Sequence, residues 1–226
     1  MVVTIDNVLT PDELSEIRKQ LAGARWETGL SAGSQAALVK KNQQLPEDAP
    51  QLRELRRIVM RALNRSQLLV SATLPNKILP PNFNRYGEAA SNYGWHVDNT
   101  LRNLPDGSWL RTDISATLFL SEPDEYQGGE LSIEDTYGQH LVKLKAGALI
   151  AYPSGSIHEV RPVTKGERLA CYLFMQSLVR NAEDRRLLYE MDMALLRLRR
   201  EVGETQPVVH LTATYHNLLR RWAENG

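Results

Sequence analysis

The chain holds a single cysteine, Cys171, among its 226 residues. That excludes an internal disulfide and leaves too few thiols for a zinc ribbon or an iron–sulfur cluster. Its place in an apolar run predicts a buried, inert thiol. No stretch approaches the roughly 18–20 apolar residues of a membrane span, so no membrane partner is expected. Net charge is missing too: 27 Lys and Arg cancel 27 Asp and Glu, which leaves no global field to attract nucleic acid. The opening Met1–Asp6 lacks the basic region and apolar block of a signal peptide, and a cytoplasmic protein is expected. Internal repeats and low-complexity segments are absent. What remains is a chain that is 42% hydrophobic, enough to bury the core of one full-sized domain with an appendage.

Three regions are expected: 1–74, a strand and helices packed on the core; 75–180, the β-rich core; and 181–226, a helical extension. Thr10 reads as an N-cap, with Pro11 at the first helical position and Glu13 closing a capping box. Leu9 and Leu14 have the spacing of a hydrophobic staple. Leu14, Ile17 and Leu21 share a helical face, and Gly23 is the stop. Ser31–Pro50 dissolves into Ser, Gly, Gln, Asn and Lys and reads as a loop or irregular strand pair, with a flap over a site as its functional alternative. A second helix is expected from Pro50 to Leu69, with Leu52, Leu55, Val59 and Leu63 inward.

After Pro75 short β-rich runs recur: Ile114–Leu120, Glu130–Ile133, His140–Leu144, Ala148–Tyr152 and Leu169–Val179. Gly128-Gly129, Tyr137-Gly138, Ala146-Gly147 and Ser154-Gly155 punctuate them as turns. Short strands without intervening helices predict an antiparallel sandwich or barrel. The end reverts to helix through Leu187, Leu188, Met191, Leu195 and Leu198. Gly203 and Pro207 break it before a last helix carrying Leu211, Tyr215, Leu218, Leu219 and Trp222. Arg197, Arg199 and Arg200 form a solvated face.

Among five histidines, His96 has a partner at ligand spacing, Asp98; on an extended strand the two side chains point to one face. His158 follows a strand and a tight turn that would hold its imidazole at a strand mouth. Two histidines and a carboxylate leave other metal positions open, as in non-haem Fe(II) oxygenases, but zinc accepts the same donors. Arg168 adds a second constraint. A guanidinium opening the apolar strand Leu169–Phe174 is costly without an anion, and its fork suits a bidentate carboxylate. A metal beside such a clamp describes a site for a small dicarboxylic co-substrate. His140, His210 and His216 read as structural or surface residues.

These residues resemble the Fe(II)/2-oxoglutarate-dependent dioxygenases, in particular the bacterial prolyl/lysyl-hydroxylase-domain (PKHD-type) branch associated with iron uptake. The resemblance runs from Asn84-Arg85-Tyr86 and Tyr93-Gly94-x-His96-x-Asp98 through Gly128-Gly129-Glu130-Leu131 and Tyr152-Pro153-Ser154-x-x-x-His158 to Gly166-Glu167-Arg168. It implies a double-stranded β-helix (jelly-roll) core, packed by the N-terminal helices and followed by a C-terminal helical pair. It also implies Fe(2+) held by His96, Asp98 and His158, and 2-oxoglutarate anchored by Arg168, where prolyl hydroxylases proper usually carry lysine. The implied reaction consumes O2, converts 2-oxoglutarate to succinate and CO2, and hydroxylates a peptidyl side chain or an iron-uptake-related small molecule; L-ascorbate keeps the iron reduced. Retention of Asp98 favours hydroxylation over halogenation. Tyr86 and, on the same strand face, Asn84 are expected to bond 2-oxoglutarate. Asn99–Asp113, with Trp109, is expected to form a lid, and the C-terminal helices to support a homo-oligomer. Two rival readings stand: a jelly-roll module that senses a metal or ligand without turnover, and a zinc hydrolase using the same three ligands. The hydrolase lacks a spare carboxylate as general base, since Glu159 should face away from His158.

Overall fold

The computed structural model describes residues 1–29, 39–87 and 91–224. Two antiparallel sheets pack face to face. The larger runs in the order Val3–Ile5, Leu149–Pro153, Ile114–Phe119, Arg168–Ser177, Asn82–Tyr86, Gln43–Gln44, Glu27–Thr28, with Pro75–Ile78 also paired to Arg168–Ser177. The smaller runs Gly138–Val142, Leu131–Asp135, His158–Val160, Asn92–His96, Lys40–Lys41. Two short ribbons join Tyr126–Gly128 to Val163–Gly166 and Leu101–Asn103 to Trp109–Arg111. This is the expected jelly-roll with flanking helices, and the five β-rich runs anticipated after Pro75 are all strands, shifted by two residues or fewer where they begin.

Period-two geometry makes the larger sheet a partition. Ile114, Ala116 and Leu118 point outward with Cys171, Leu173 and Met175, into a cluster shared with the N-terminal helices. Their neighbours Ser115, Thr117, Arg168, Tyr172 and Phe174 point the other way and line a cavity between the sheets. Helices α1 (Pro11–Ala22), α2 (Leu52–Arg65) and α3 (Gln67–Thr73) cover the outer face with Ile17, Leu21, Leu52, Leu55, Val59, Leu63 and Leu69. Burying each such side chain is worth roughly 1.5–3 kcal/mol. The capping box of α1 is present, with Glu13 N–H donating to Thr10 Oγ1 at 3.2 Å and Thr10 N–H to Glu13 Oε2 at 3.0 Å.

The single helix expected over Pro50–Leu69 is two. Ser66 stands extended between α2 and α3 (φ −79°, ψ 93°), and its hydroxyl accepts from Leu69 N–H. A serine that caps a new helix competes with continuing the old one.

At the C-terminus α4 (Ala182–Val202) and α5 (Gln206–Trp222) bury Leu188, Leu195 and Tyr215 against Leu74 and Val179. Gly203 and Pro207 separate and start them as expected. Leu187 and Leu211, among the apolar positions that marked these helices, are exposed, since only one stripe of each helix is buried. Cys171 is fully buried, and burial pushes its thiol well above the ordinary range. No helix among the described residues is long and apolar enough to cross a membrane.

Candidate metal centre

Strand pairing brings the ligand candidates together. The Cα of His158, first residue of its strand, lies opposite that of His96, last residue of Asn92–His96. Asp98 stands two residues beyond the strand end, not within it as expected, yet its carboxylate turns back to the pair. Donor atoms of His96, Asp98 and His158 all lie within 4.8 Å of one another. His158 Nε2 is 3.6 Å from Asp98 Oδ2, and His96 Nε2 is 4.0 Å from Oδ1. The turn before His158 is closed by Ser156 N–H to Pro153 C=O, which sets the imidazole at the strand mouth.

Each imidazole is oriented by its other nitrogen. His96 Nδ1 lies 2.7 Å from the Gly94 carbonyl and His158 Nδ1 3.0 Å from that of Ser156. A carbonyl only accepts, so both Nδ1 atoms carry the proton and both Nε2 lone pairs face the centre. Burial and neighbouring His158 lower the pKa of His96 to about 4, keeping it a neutral donor. Tyr93 stacks on His96 at 3.6 Å between ring centroids. Ser115 Oγ donates to Asp98 Oδ2 at 2.6 Å and lies 2.7 Å from Ser154 Oγ.

Arg168 supplies the other half of the site. It is 1% exposed, with its guanidinium 5.3 Å from the Tyr86 ring centroid and 5.1 Å from that of Phe119. Its Nε and Nη2 have no hydrogen-bond partner among the described residues. Gly129, at φ +69°, leaves the room this stem needs: a Cβ there would meet Arg168 Cδ at 3.1 Å. Two buried, unsatisfied N–H donors on one guanidinium fit the distal carboxylate of a dicarboxylic acid. The three convergent donors likewise fit a divalent ion with open positions.

Tyr86 and Asn84 both line the cavity. Tyr86 is buried, and its hydroxyl accepts from Asn42 Nδ2 at 3.1 Å and Asn84 Nδ2 at 3.5 Å. Asn42 and Asn84 each keep a buried carbonyl oxygen with no hydrogen-bond partner among the described residues. In place of the irregular strand pair expected within Ser31–Pro50, Lys40–Lys41 joins the smaller sheet beside Asn92–His96 and Gln43–Gln44 joins the larger beside Asn82–Tyr86; Lys40, Asn42 and Gln44 reach the cavity, and residues 31–38 of the expected flap lie outside the described ones. Asn99–Asp113 forms a hairpin with Asn99 and Arg102 in the cavity wall, while Trp109 is exposed.

Sequence reasoning missed Lys40, Asn42, Arg102, Ser115 and Tyr172. The alternation Ser115, Thr117 within the apolar run Ile114–Leu120 was the available signal for Ser115. His140 pairs with Asp135 at 2.9 Å on the surface, and His210 and His216 are exposed. Glu159 lies 3.6 Å from Arg161 and does not line the cavity.

Residues 81–176 match the 2OG-Fe(II) oxygenase superfamily, and residues 183–224 match the PKHD-type hydroxylase C-terminal domain. A PKHD-type hydroxylase of Nitrosomonas europaea is 62% identical over 227 residues, covering 100% of both chains. One from Azoarcus sp. is 56% identical over 226 residues, covering 99% of this chain and 100% of that one. Among solved structures, a prolyl hydroxylase of Trichoplax adhaerens in complex with a hypoxia-inducible-factor peptide fragment superposes with a TM-score of 0.55 at 17% identity. The match covers 83% of this chain and 86% of that one and shows a common fold.

Proposed function

Because the chain belongs to the PKHD-type hydroxylases of the 2OG-Fe(II) oxygenase superfamily, we propose that its cavity is the active site of a hydroxylase in which His96, Asp98 and His158 hold Fe(2+) and Arg168 anchors 2-oxoglutarate. The observation that carries this reading is a set of three donor atoms within 4.8 Å of one another, sharing a cavity with a buried guanidinium, two of whose nitrogens have no hydrogen-bond partner among the described residues.

Ferrous iron with 2-oxoglutarate and O2 supplies the oxidising power for C–H hydroxylation, releasing succinate and CO2. The chain's own groups bind, orient and shield. Gly94 and Ser156 carbonyls fix the imidazole tautomers, and Ser115 turns the Asp98 carboxylate toward the imidazoles. Arg168 takes the far carboxylate of 2-oxoglutarate, with Tyr86 and Phe119 keeping water from the ion pair. Asn42, Asn84 and Tyr86 offer hydrogen bonds to the rest of the co-substrate. The substrate is a peptidyl side chain or a small molecule linked to iron uptake, handled in the cytoplasm without nucleic acid. L-ascorbate would serve as the reductant that keeps the iron ferrous. Self-association through α4 and α5 would use their exposed Leu187, Leu196 and Leu211; a monomeric mass by light scattering would refute it.

A zinc hydrolase needs a general base, and among the described residues Asp98 is the only carboxylate in the cavity wall. A sensor needs no carboxylate clamp. Succinate release from 2-oxoglutarate separates the readings: Fe(II) supports it and Zn(II) abolishes it if the proposal holds. A product 16 Da heavier in treated cell extract, found by mass spectrometry, would identify the substrate.

A further inference from the structure

We propose that Lys40 and Arg102 form an anion-recognition pair that selects a substrate bearing a carboxylate or phosphate group. The inference rests on the active-site reading above and goes on to substrate class.

Among the described residues, Lys40, Arg102 and Arg168 line the cavity, against a single carboxylate, Asp98. On that reading the ferrous ion and the dianionic co-substrate offset each other, and Asp98 offsets Arg168. Lys40 and Arg102 are left over. Burial pushes the Lys40 ammonium down to about 8, with neighbouring Arg102 adding to the shift and Asp98 opposing it. Half-burying like charges in one wall is costly unless an anion joins them.

Aromatic rings hold both cations in place without neutralising them. The Arg102 guanidinium lies 4.2 Å from the Phe174 ring centroid, and Lys40 Nζ lies 5.4 Å from that of Tyr93. Arg102 Nε is buried with no hydrogen-bond partner among the described residues. Arg102 and Asn99 also line an adjoining groove with Leu79 and Pro105, in which the other two charged groups, Arg56 and Glu47, pair with each other at 2.7 Å. A substrate lying along that groove passes Arg102 before it reaches the metal ligands. The pair therefore meets the incoming molecule, while Arg168 meets the co-substrate.

The test is calorimetric titration of the Fe(II)-loaded protein, saturated with 2-oxoglutarate under nitrogen, with benzoate, phenyl phosphate and benzyl alcohol. At least one anion is expected to bind about tenfold or more tighter than the alcohol; comparing the two anions tells carboxylate from phosphate. R102Q and K40Q should each remove most of that preference, and the charge-preserving R102K should retain it even if the glutamine variants fold poorly. R57Q, an equal charge change on the exposed face of α2, should leave it intact. Equal affinity for anions and alcohol, absence of anion binding, or an unchanged preference in both glutamine variants overturns the pair. Failure of the wild-type protein to take up 2-oxoglutarate in the loading step sinks the active-site reading instead.

Discussion

Ser115 donates its hydroxyl to Asp98 Oδ2 at 2.6 Å, tying the larger sheet to the extended residues that follow the smaller sheet's strand Asn92–His96. The bond leaves the carboxylate little freedom to swing from the two imidazoles. Ser115→Ala should therefore weaken Fe(II) or Mn(II) binding by roughly 10–100-fold, as loss of a group orienting a ligand does. Anaerobic metal titration measures this; unchanged affinity would show that Asp98 orients itself.

Arg168→Gln keeps the stem but removes the charge. Without it, 2-oxoglutarate should lose about 2–5 kcal/mol of binding, while affinity for the metal alone changes little. Arg168→Lys should recover part of the loss, since one ammonium replaces a two-donor fork. Direct titration of 2-oxoglutarate into each variant checks the order. Equal affinity in wild type and Arg168→Gln would place the anchor elsewhere.

Glu13 links fold stability to pH. Hydrogen bonding from Arg65 holds its carboxyl at about 2, below its ordinary 4.5. A depressed carboxyl pKa stabilises the fold above the unfolded value, so this contribution is complete above about pH 4.5 and fades as pH falls toward 2. Glu13→Gln should lower the melting temperature at neutral pH and flatten its decline over that acid window. Melting curves that fall in parallel for both proteins would contradict the linkage.

Packing gives a further contrast. Leu55, fully buried in α2, should cost about 2–5 kcal/mol when cut to alanine. Leu187, 49% exposed in α4, should stay within about 0.5 kcal/mol. Urea denaturation of the two variants compares them, and similar losses would mean that the α4 surface is covered.

Much of this was readable in advance, for definite reasons. Thr10 to Glu13 is a local hydrogen-bond pattern, and the β runs after Pro75 are bounded by glycines whose turns need positive φ, as at Gly128, Gly138 and Gly147. His96 and Asp98 stood out by their two-residue spacing, His158 by the strand and tight turn before it, and Arg168 because a guanidinium opening an apolar strand is costly without an anion. Asn42 and Lys40 were hidden: they come from a polar stretch with no periodicity, and only strand pairing across the fold carries them to the cavity. The break at Ser66 was hidden too, since apolar spacing continues through it. Asp98 was expected within a strand, and its placement past the strand end follows from a pairing partner that stops at His158.

The most direct measurement is anomalous diffraction at the iron edge from a crystal grown without oxygen in Fe(II) and 2-oxoglutarate. The account predicts one strong peak bonded to His96 Nε2, His158 Nε2 and the Asp98 carboxylate, with the far carboxylate of 2-oxoglutarate hydrogen-bonded to Arg168. A peak away from these three side chains, or a co-substrate whose far end ignores Arg168, would contradict it.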